Sequence, residues 1–184
     1  MKTKRSKPGR RAFLGMGLAA AAAGGVTTAC SRRAGAGGRA WRFFTGEEAR
    51  TVEAICARFI PSDDAPGAKE AGVLNYIDIQ LTKAFKRHQE TYRKGIAAID
   101  AASRSAHQKS FAALAEDEQD EILAEAEEKQ PAFFNLVLDH TMQGFYGDPR
   151  HGGNRGMVSW KMLGLPFPPV RGRMHYPAAE GKRT

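Results

Sequence analysis

The sequence predicts an all-α protein: a small single-domain helical bundle with a long, ordered, glycine-rich loop and a C-terminal tail, preceded by a signal peptide. Three observations support this fold class. Apolar residues recur three or four positions apart in several segments, no segment alternates clearly between apolar and polar residues, and no hairpin turn joins β-branched runs. The 184 residues suffice for one domain with a single core once the leader is removed.

Residues 1–36 are predicted to be a signal peptide with its exit region. A basic stretch, MKTKRSKPGRR, precedes an apolar run of about fifteen residues, which is short and weakly hydrophobic for a membrane span. Arg10 and Arg11, followed by Phe13 and Leu14, resemble the twin-arginine signal that exports folded proteins. This pattern predicts recognition by the twin-arginine translocase and a periplasmic location; an uncleaved N-terminal anchor is the alternative.

The leader exit contains a candidate lipidation site, Cys30. The sequence TTAC resembles a lipoprotein cleavage box, with Thr27 in place of the usual aliphatic residue. Cleavage near Ala29, or after the AGA of residues 34–36, is the alternative. Because Cys56 is the only other cysteine, removal or acylation of Cys30 leaves the body without an internal disulfide.

The net charge of +8 belongs to the leader rather than to the body. Residues 1–40 contain nine Lys or Arg and no acidic residue, which leaves 19 basic against 20 acidic residues in the rest of the chain. Nucleic-acid binding needs a basic surface on the folded domain, so this distribution argues against a nucleic-acid partner.

The body is predicted to follow a linker at 37–44, to extend over 45–169 and to end in a tail at 170–184. A capping box from Thr45 to Glu48 starts a first helix that Pro61 ends. The apolar spacing then predicts a second helix over 73–88, a third around Tyr92 to Ile99, and a polar patch over 101–110.

Two further helices follow in the predicted order. Asp117 is expected to cap an acidic helix, whose charges form a solvated surface, and Pro131 suits the first turn of the next helix. That helix, PAFFNLVLDHTMQGF, is the most apolar and is predicted to be central, with Val137, Met142 and Phe145 on its repeating apolar face.

The glycine-rich segment, residues 140–169, holds six glycines and the main candidates for chemistry. An enzyme would use His140 or His151 as general base, Asp148 to orient it and Arg150 to bind an anion. The alternative is a structural Ω-loop over the helical core that uses Phe145 and Trp160 for its own packing.

Motifs for cofactors are absent from the sequence. The GMGLAA of residues 15–20 matches a dinucleotide fingerprint, but no strand precedes it and no acidic residue occurs before Glu47, so we reject a nucleotide site. The sequence contains no C-x-x-C-H, H-E-x-x-H or G-x-S-x-G. We therefore expect neither a flavin, nor a haem, nor a metal in this chain.

Two stretches of the body, FIPSDDAPGAKEAGVLNYID and FFNLVLDHTMQGFYGDPRHGGNRGMVSWKMLGLPFPP, resemble the gluconate 2-dehydrogenase subunit 3 family. Its members are small subunits of membrane-bound, FAD-dependent sugar and alcohol dehydrogenases. The resemblance implies that the flavin and the catalytic residues lie on a separate large subunit of the glucose-methanol-choline (GMC) class, and that a multihaem cytochrome c accepts the electrons. It also implies a role in assembly and in twin-arginine export of the leaderless flavoprotein.

On this interpretation the segment from Phe145 to Trp160 is a docking surface for the large subunit. The side chains expected at that interface are Phe145, Tyr146, Asp148, Arg150, Asn154, Arg155 and Trp160. The competing hypothesis is a free-standing periplasmic enzyme that uses His140, Asp148, Arg150 and His151.

Overall fold

Within residues 40–165, which the computed structural model describes, all regular structure is helical, and the predicted all-α class is confirmed. The α-helices are α1 (Gly46–Phe59), α2 (Val73–Leu81), α3 (Gln89–His107), α4 (Glu116–Lys129), α5 (Pro131–Tyr146) and α6 (Val158–Met162). Short 3-10 helices lie at Lys86–His88, Phe111–Ala113, Pro149–His151 and Arg155–Met157. The predicted leader features, namely Arg10, Arg11, Phe13, Leu14 and Cys30, and the predicted tail fall outside the described residues.

Helix α5 is the centre of the bundle, as its apolar sequence predicts, because it packs against each of α1, α2, α3 and α4. Val137 and Phe145 on α5 are buried in the same core as Tyr92 of α3. Gly95 allows α3 to approach α5 closely, since a Cβ at this position would lie 2.2 Å from the ring of Phe133. Met142 departs from the prediction: its side chain is exposed on the outside of α5.

Helix α1 begins at the predicted capping box. The Thr45 hydroxyl accepts a hydrogen bond from the Glu48 amide at 3.2 Å, and the Glu48 carboxylate accepts one from the Thr45 amide at 2.7 Å. These bonds satisfy two of the amide groups that a helix start leaves without intrahelical partners.

The prediction of one helix over 73–88 is wrong, because α2 ends at Leu81. The side-chain amide of Gln89 donates to the Leu81 carbonyl at 2.8 Å, which joins the start of α3 to the end of α2 across a tight turn. Phe85 lies in this turn rather than on a helix face, and its ring stacks on His140.

Two other boundaries differ from the predictions. Helix α3 continues through most of the polar patch to His107. The N-cap of α4 is Ala115 rather than Asp117, and the Glu118 carboxylate accepts the Ala115 amide at 2.9 Å. Asp117 lies in the first helical turn, where its negative charge interacts favourably with the positive end of the helix dipole.

Residues 42–44 belong to the folded domain and not to a linker. The carboxylate of Asp78 on α2, which is wholly buried, accepts hydrogen bonds from three consecutive amides: Arg42 and Phe43 at 2.9 Å and Phe44 at 3.2 Å. The ring of Phe44 is buried in the core. No local sequence pattern indicates this contact, because the bonded residues are more than thirty positions apart.

Candidate functional site

The loop between α5 and α6, residues 147–157 and hereafter the glycine loop, folds back onto α2. The Asn75 side-chain amide donates to the Gly152 carbonyl at 2.6 Å, and the Arg155 amide donates to the Ala71 carbonyl at 2.8 Å. The Asn154 amide donates to the Gly144 carbonyl at 2.9 Å. These bonds fix residues 152–155 of the loop against α2, the turn before it, and α5.

Glycine is required where the loop meets α5. A Cβ on Gly153 would lie 2.1 Å from the carbonyl oxygen of Gly144, a backbone atom that cannot move aside. Gly152, with a φ of 100°, has a backbone conformation that L-residues with side chains rarely adopt. Gly153 therefore serves close backbone packing on α5, and Gly152 serves the left-handed backbone conformation and the close approach to α2.

Asn154 holds the loop from inside and does not face solvent. Its side chain is wholly buried; its amide group donates to the Gly147 carbonyl at 3.0 Å and its oxygen accepts the Ser159 amide at 3.1 Å. Asn154 also has a φ of 41°, in the left-handed region that asparagine tolerates better than most residues. The predicted partner-interface residue thus occupies an internal structural position.

Phe145 and Trp160 also point inward. Phe145 is buried in the core, and Trp160 is 6% exposed with its indole Nε1 donating to the Tyr146 carbonyl at 2.9 Å. This is the packing that the Ω-loop interpretation predicts for the two side chains. Their bulk supports the loop, whereas the outer surface is formed by other residues.

The charged side chains of the loop are on its outer side. Arg150 is exposed; its Nε lies 3.0 Å from a carboxylate oxygen of Asp148, while its amide donates to the other carboxylate oxygen at 3.0 Å. Arg155 is also exposed, and its guanidinium lies over Gly72, where it would come within 3.1 Å of an added Cβ. Both arginines are therefore exposed at the surface of the loop.

The two histidines of the enzyme hypothesis have different environments. His151 is exposed in the loop, whereas His140 is 3% exposed. The His140 ring stacks on Phe85 with 3.8 Å between centroids, and its Nδ1 lies 3.0 Å from the Tyr92 hydroxyl. Burial lowers the pKa of His140 to about 4, with a smaller contribution from the nearby His88. A neutral, enclosed imidazole of this kind stabilises the core and is closed to a substrate.

A set of exposed apolar side chains was not predicted from the sequence. It comprises Met142, Tyr146, Met162, Leu163 and Leu165. Only Tyr146 was predicted to face a partner, and Met142 was expected in the core. Helical spacing identifies an apolar face but does not show whether another helix covers it, so the sequence carried no signal for this surface.

Comparison with known families gives one match. The family model described as Gluconate 2-dehydrogenase subunit 3 matches residues 46–166, about two thirds of the chain. The chain belongs to this family. A search of curated proteins and a search of solved structures each found no match.

The two stretches that resemble the family in sequence meet in this subunit 3 domain. The first contains most of α2 and the turn before it, and the second contains most of α5, the glycine loop and α6. The bonds from Asn75 to Gly152 and from Arg155 to Ala71 join them.

The part of the subunit 3 domain that the structure describes was also searched for metal ligands and membrane spans. Between residues 40 and 165, no group of three or more His, Cys, Asp or Glu side chains is arranged to hold a metal ion. In the same range, no helix is both long and apolar enough to cross a bilayer. Cys56 is buried, its thiol pKa is raised to about 12 by burial, and the Thr141 hydroxyl lies 3.2 Å from its sulfur.

Proposed function

We propose that this chain is the non-catalytic small subunit of a periplasmic FAD-dependent dehydrogenase of the GMC class, such as gluconate 2-dehydrogenase. Membership in the subunit 3 family supports a place in a multi-subunit dehydrogenase. In this proposal the large subunit holds FAD, a multihaem cytochrome subunit holds haem c, and the present chain holds no cofactor. The complex associates with the periplasmic side of the membrane through its other subunits.

The observation that carries the proposal is the contrast between the glycine loop and His140. The loop is fixed by partly buried hydrogen bonds and exposes Arg150 and Arg155, which suits a permanent protein contact. His140 is enclosed by Phe85 and Tyr92 in the core. The alternative of a free-standing enzyme using His140, Asp148, Arg150 and His151 would need that histidine to be accessible to a substrate.

The second part of the proposal is an export role. The twin-arginine pattern at Arg10 and Arg11 supports export after folding. A small subunit that folds and binds its partner in the cytoplasm brings a leaderless flavoprotein through the same translocase. The proposed order is therefore folding, assembly and then export.

The experiment replaces Arg10 and Arg11 together by Lys and follows both subunits by cell fractionation. We expect the small subunit and the flavoprotein to remain in the cytoplasm, because the substitution keeps the charge but removes the paired guanidinium groups. The matched control replaces the second pair, Arg32 and Arg33, by Lys, and should leave export unchanged. Unchanged periplasmic delivery of the first variant would contradict the export role.

The isolated chain provides a separate check of the cofactor assignment. Expressed alone, it should have no absorbance from a flavin or haem in the visible range and should not oxidise sugars or sugar acids. A stoichiometric yellow or red chromophore, or turnover that His140→Phe abolishes, would favour the free-standing enzyme instead.

A further inference from the structure

The exposed apolar surface of the described domain is concentrated in one stretch of the chain. Between residues 40 and 165, the large apolar side chains that are exposed are those of Met142, Tyr146, Met162, Leu163 and Leu165, with exposed fractions from 38% to 55%. Single exposed apolar residues are ordinary, but a group of them on one surface is typical of an interaction site. These five side chains are called the apolar patch below.

Trp160 connects the two halves of the apolar patch. Met142 and Tyr146 are one turn apart on α5 and therefore lie on the same side of that helix. The Trp160 indole donates to the Tyr146 carbonyl, and the Trp160 carbonyl accepts the Leu165 amide, each at 2.9 Å. The end of α5 and the turn after α6 are thus held on either side of one buried tryptophan.

The charges of the glycine loop and α6 are mainly positive, while α5 carries the exposed Asp139 one turn before Met142. The glycine loop and α6 supply Arg150, Arg155 and Lys161, and the one acidic residue among them, Asp148, pairs with Arg150. Arg150 pairs with Asp148 on the loop, and the Arg155 guanidinium lies beside Gly72. Guanidinium groups form paired hydrogen bonds with carboxylates, so these side chains match acidic residues on a folded protein partner.

We infer that the apolar patch is the central contact with the large flavoprotein subunit, and that the loop arginines lie at its rim. The surface it fits is apolar and edged by carboxylates. This inference rests on the proposed function and locates its interface. It also assigns different roles to the apolar patch and to the loop arginines. Apolar residues at the centre of an interface provide most of the binding free energy, whereas charges at its rim mainly affect orientation and association rate.

The first test is a pull-down of the GMC-class flavoprotein subunit of the proposed complex, co-expressed with full-length variants of the small subunit. Met142→Asp combined with Leu163→Asp should reduce the recovered flavoprotein at least tenfold, because two carboxylates would be desolvated against an apolar, acid-edged surface. Ala97→Asp combined with Ala101→Asp is the matched control, since both alanines are exposed on α3. Arg150→Ala and Arg155→Ala should each reduce recovery less than the patch variant.

A second test uses the methionines of the patch as probes. Met142 and Met162 should be oxidised by dilute hydrogen peroxide in the free subunit and protected at least tenfold in the complex, as measured by mass spectrometry. Circular dichroism of each purified variant confirms that it remains helical, so a loss of binding is not a loss of folding.

The outcomes separate this inference from the proposed function. If wild type recovers the flavoprotein and the patch variant does so equally well, the inference is overturned and the proposed function stands. If wild type recovers none, both are overturned. If both methionines are already protected in the free subunit and this protection depends on protein concentration, the patch is covered by a second copy of the chain. If truncation after Leu165 removes the protection, the patch is covered by residues 166–184. Protection by phosphatidylglycerol vesicles alone would assign it to a membrane, and each of these results overturns the inference.

Discussion

Helix α4 and the glycine loop are both polar, but their polar groups are arranged in opposite ways. In α4, acidic side chains face solvent, and its ion pairs, such as Asp120 with Arg58 and Glu125 with Lys129, lie at the surface. In the loop, the polar groups that matter most for the fold are partly or fully buried amides and carbonyls that bond to the side chains of Asn75 and Asn154. The number of charged residues in a segment therefore does not indicate how strongly its polar contacts contribute to the free energy of unfolding.

The largest effect should come from adding one methyl group where the glycine loop meets α5. In Gly153→Ala, the new Cβ would lie 2.1 Å from the Gly144 carbonyl oxygen, so the loop must move away from the helix. That movement disturbs the neighbouring bonds of Asn154. We expect the free energy of unfolding to fall by roughly 3 kcal/mol or more, above the usual range for overpacking because the obstacle is backbone. Urea unfolding of the mature chain measures it.

Gly156→Ala is the control for this prediction. Gly156 belongs to the same loop and has a φ of 66°, but no atom lies within 4 Å of its added Cβ. Only the strain of a left-handed backbone conformation should then lower the free energy of unfolding, by about 1 to 2 kcal/mol. Equal losses in the two variants would contradict the view that close packing on α5 determines the loop.

The next largest effect is a dependence of stability on pH, which tests the burial of the His140 imidazole in the core. His140 has a pKa of about 4 in the folded chain, lowered by burial, against about 6.5 when unfolded. Between these values the unfolded chain binds the proton and the folded chain does not, so stability falls as the pH decreases from about 6.5 to 4. The full loss is roughly 3 kcal/mol.

His140→Phe isolates this contribution, because it retains an aromatic ring against Phe85 and removes the titrating group. Unfolding curves at pH 7 and pH 4 should show a smaller acid-induced loss in the variant than in wild type, by roughly 3 kcal/mol. Other acidic groups titrate equally in both proteins and cancel in the difference. Identical pH profiles would mean that His140 is already protonated in the folded chain or is accessible to solvent.

What the sequence predicts depends on whether the contacts are local. The capping box at Thr45 and Glu48 and the start of α5 at Pro131 involve neighbours in the chain, and both are present in the structure. The end of α2 was misplaced, because the turn that follows depends on a bond from Gln89 to Leu81 and on the stacking of Phe85 against His140.

The candidate site was predicted in part for the same reason. The glycine-rich composition indicated close backbone approach, whereas Phe145 and Trp160 were predicted to face a partner and instead pack inward, as the Ω-loop alternative has it. The buried position of Asn154 depends on the distance between α5 and α6, and the contact of Arg155 with Ala71 joins residues that are 84 positions apart. No local pattern records either contact, and none distinguishes the exposed Met142 from the buried Phe145.

The smallest effect should come from the surface of α4. Both oxygens of Asp120 accept hydrogen bonds from Arg58 at 2.8 Å, and this pairing holds the pKa of Asp120 below its usual value. The Asp120 side chain is nonetheless 55% exposed, so water and salt screen the interaction. Asp120→Asn should lower the free energy of unfolding by at most about 1 kcal/mol. Sodium chloride at 0.5 M should remove most of that difference, because at roughly this concentration salt screens charges that are about 5 Å apart. Because a lowered carboxyl pKa stabilises the fold only above that pKa, the difference between variant and wild type should also vanish as the pH falls below it. A loss as large as that of Gly153→Ala, insensitive to salt, would show that α4 depends on its charges as strongly as the glycine loop depends on its buried bonds.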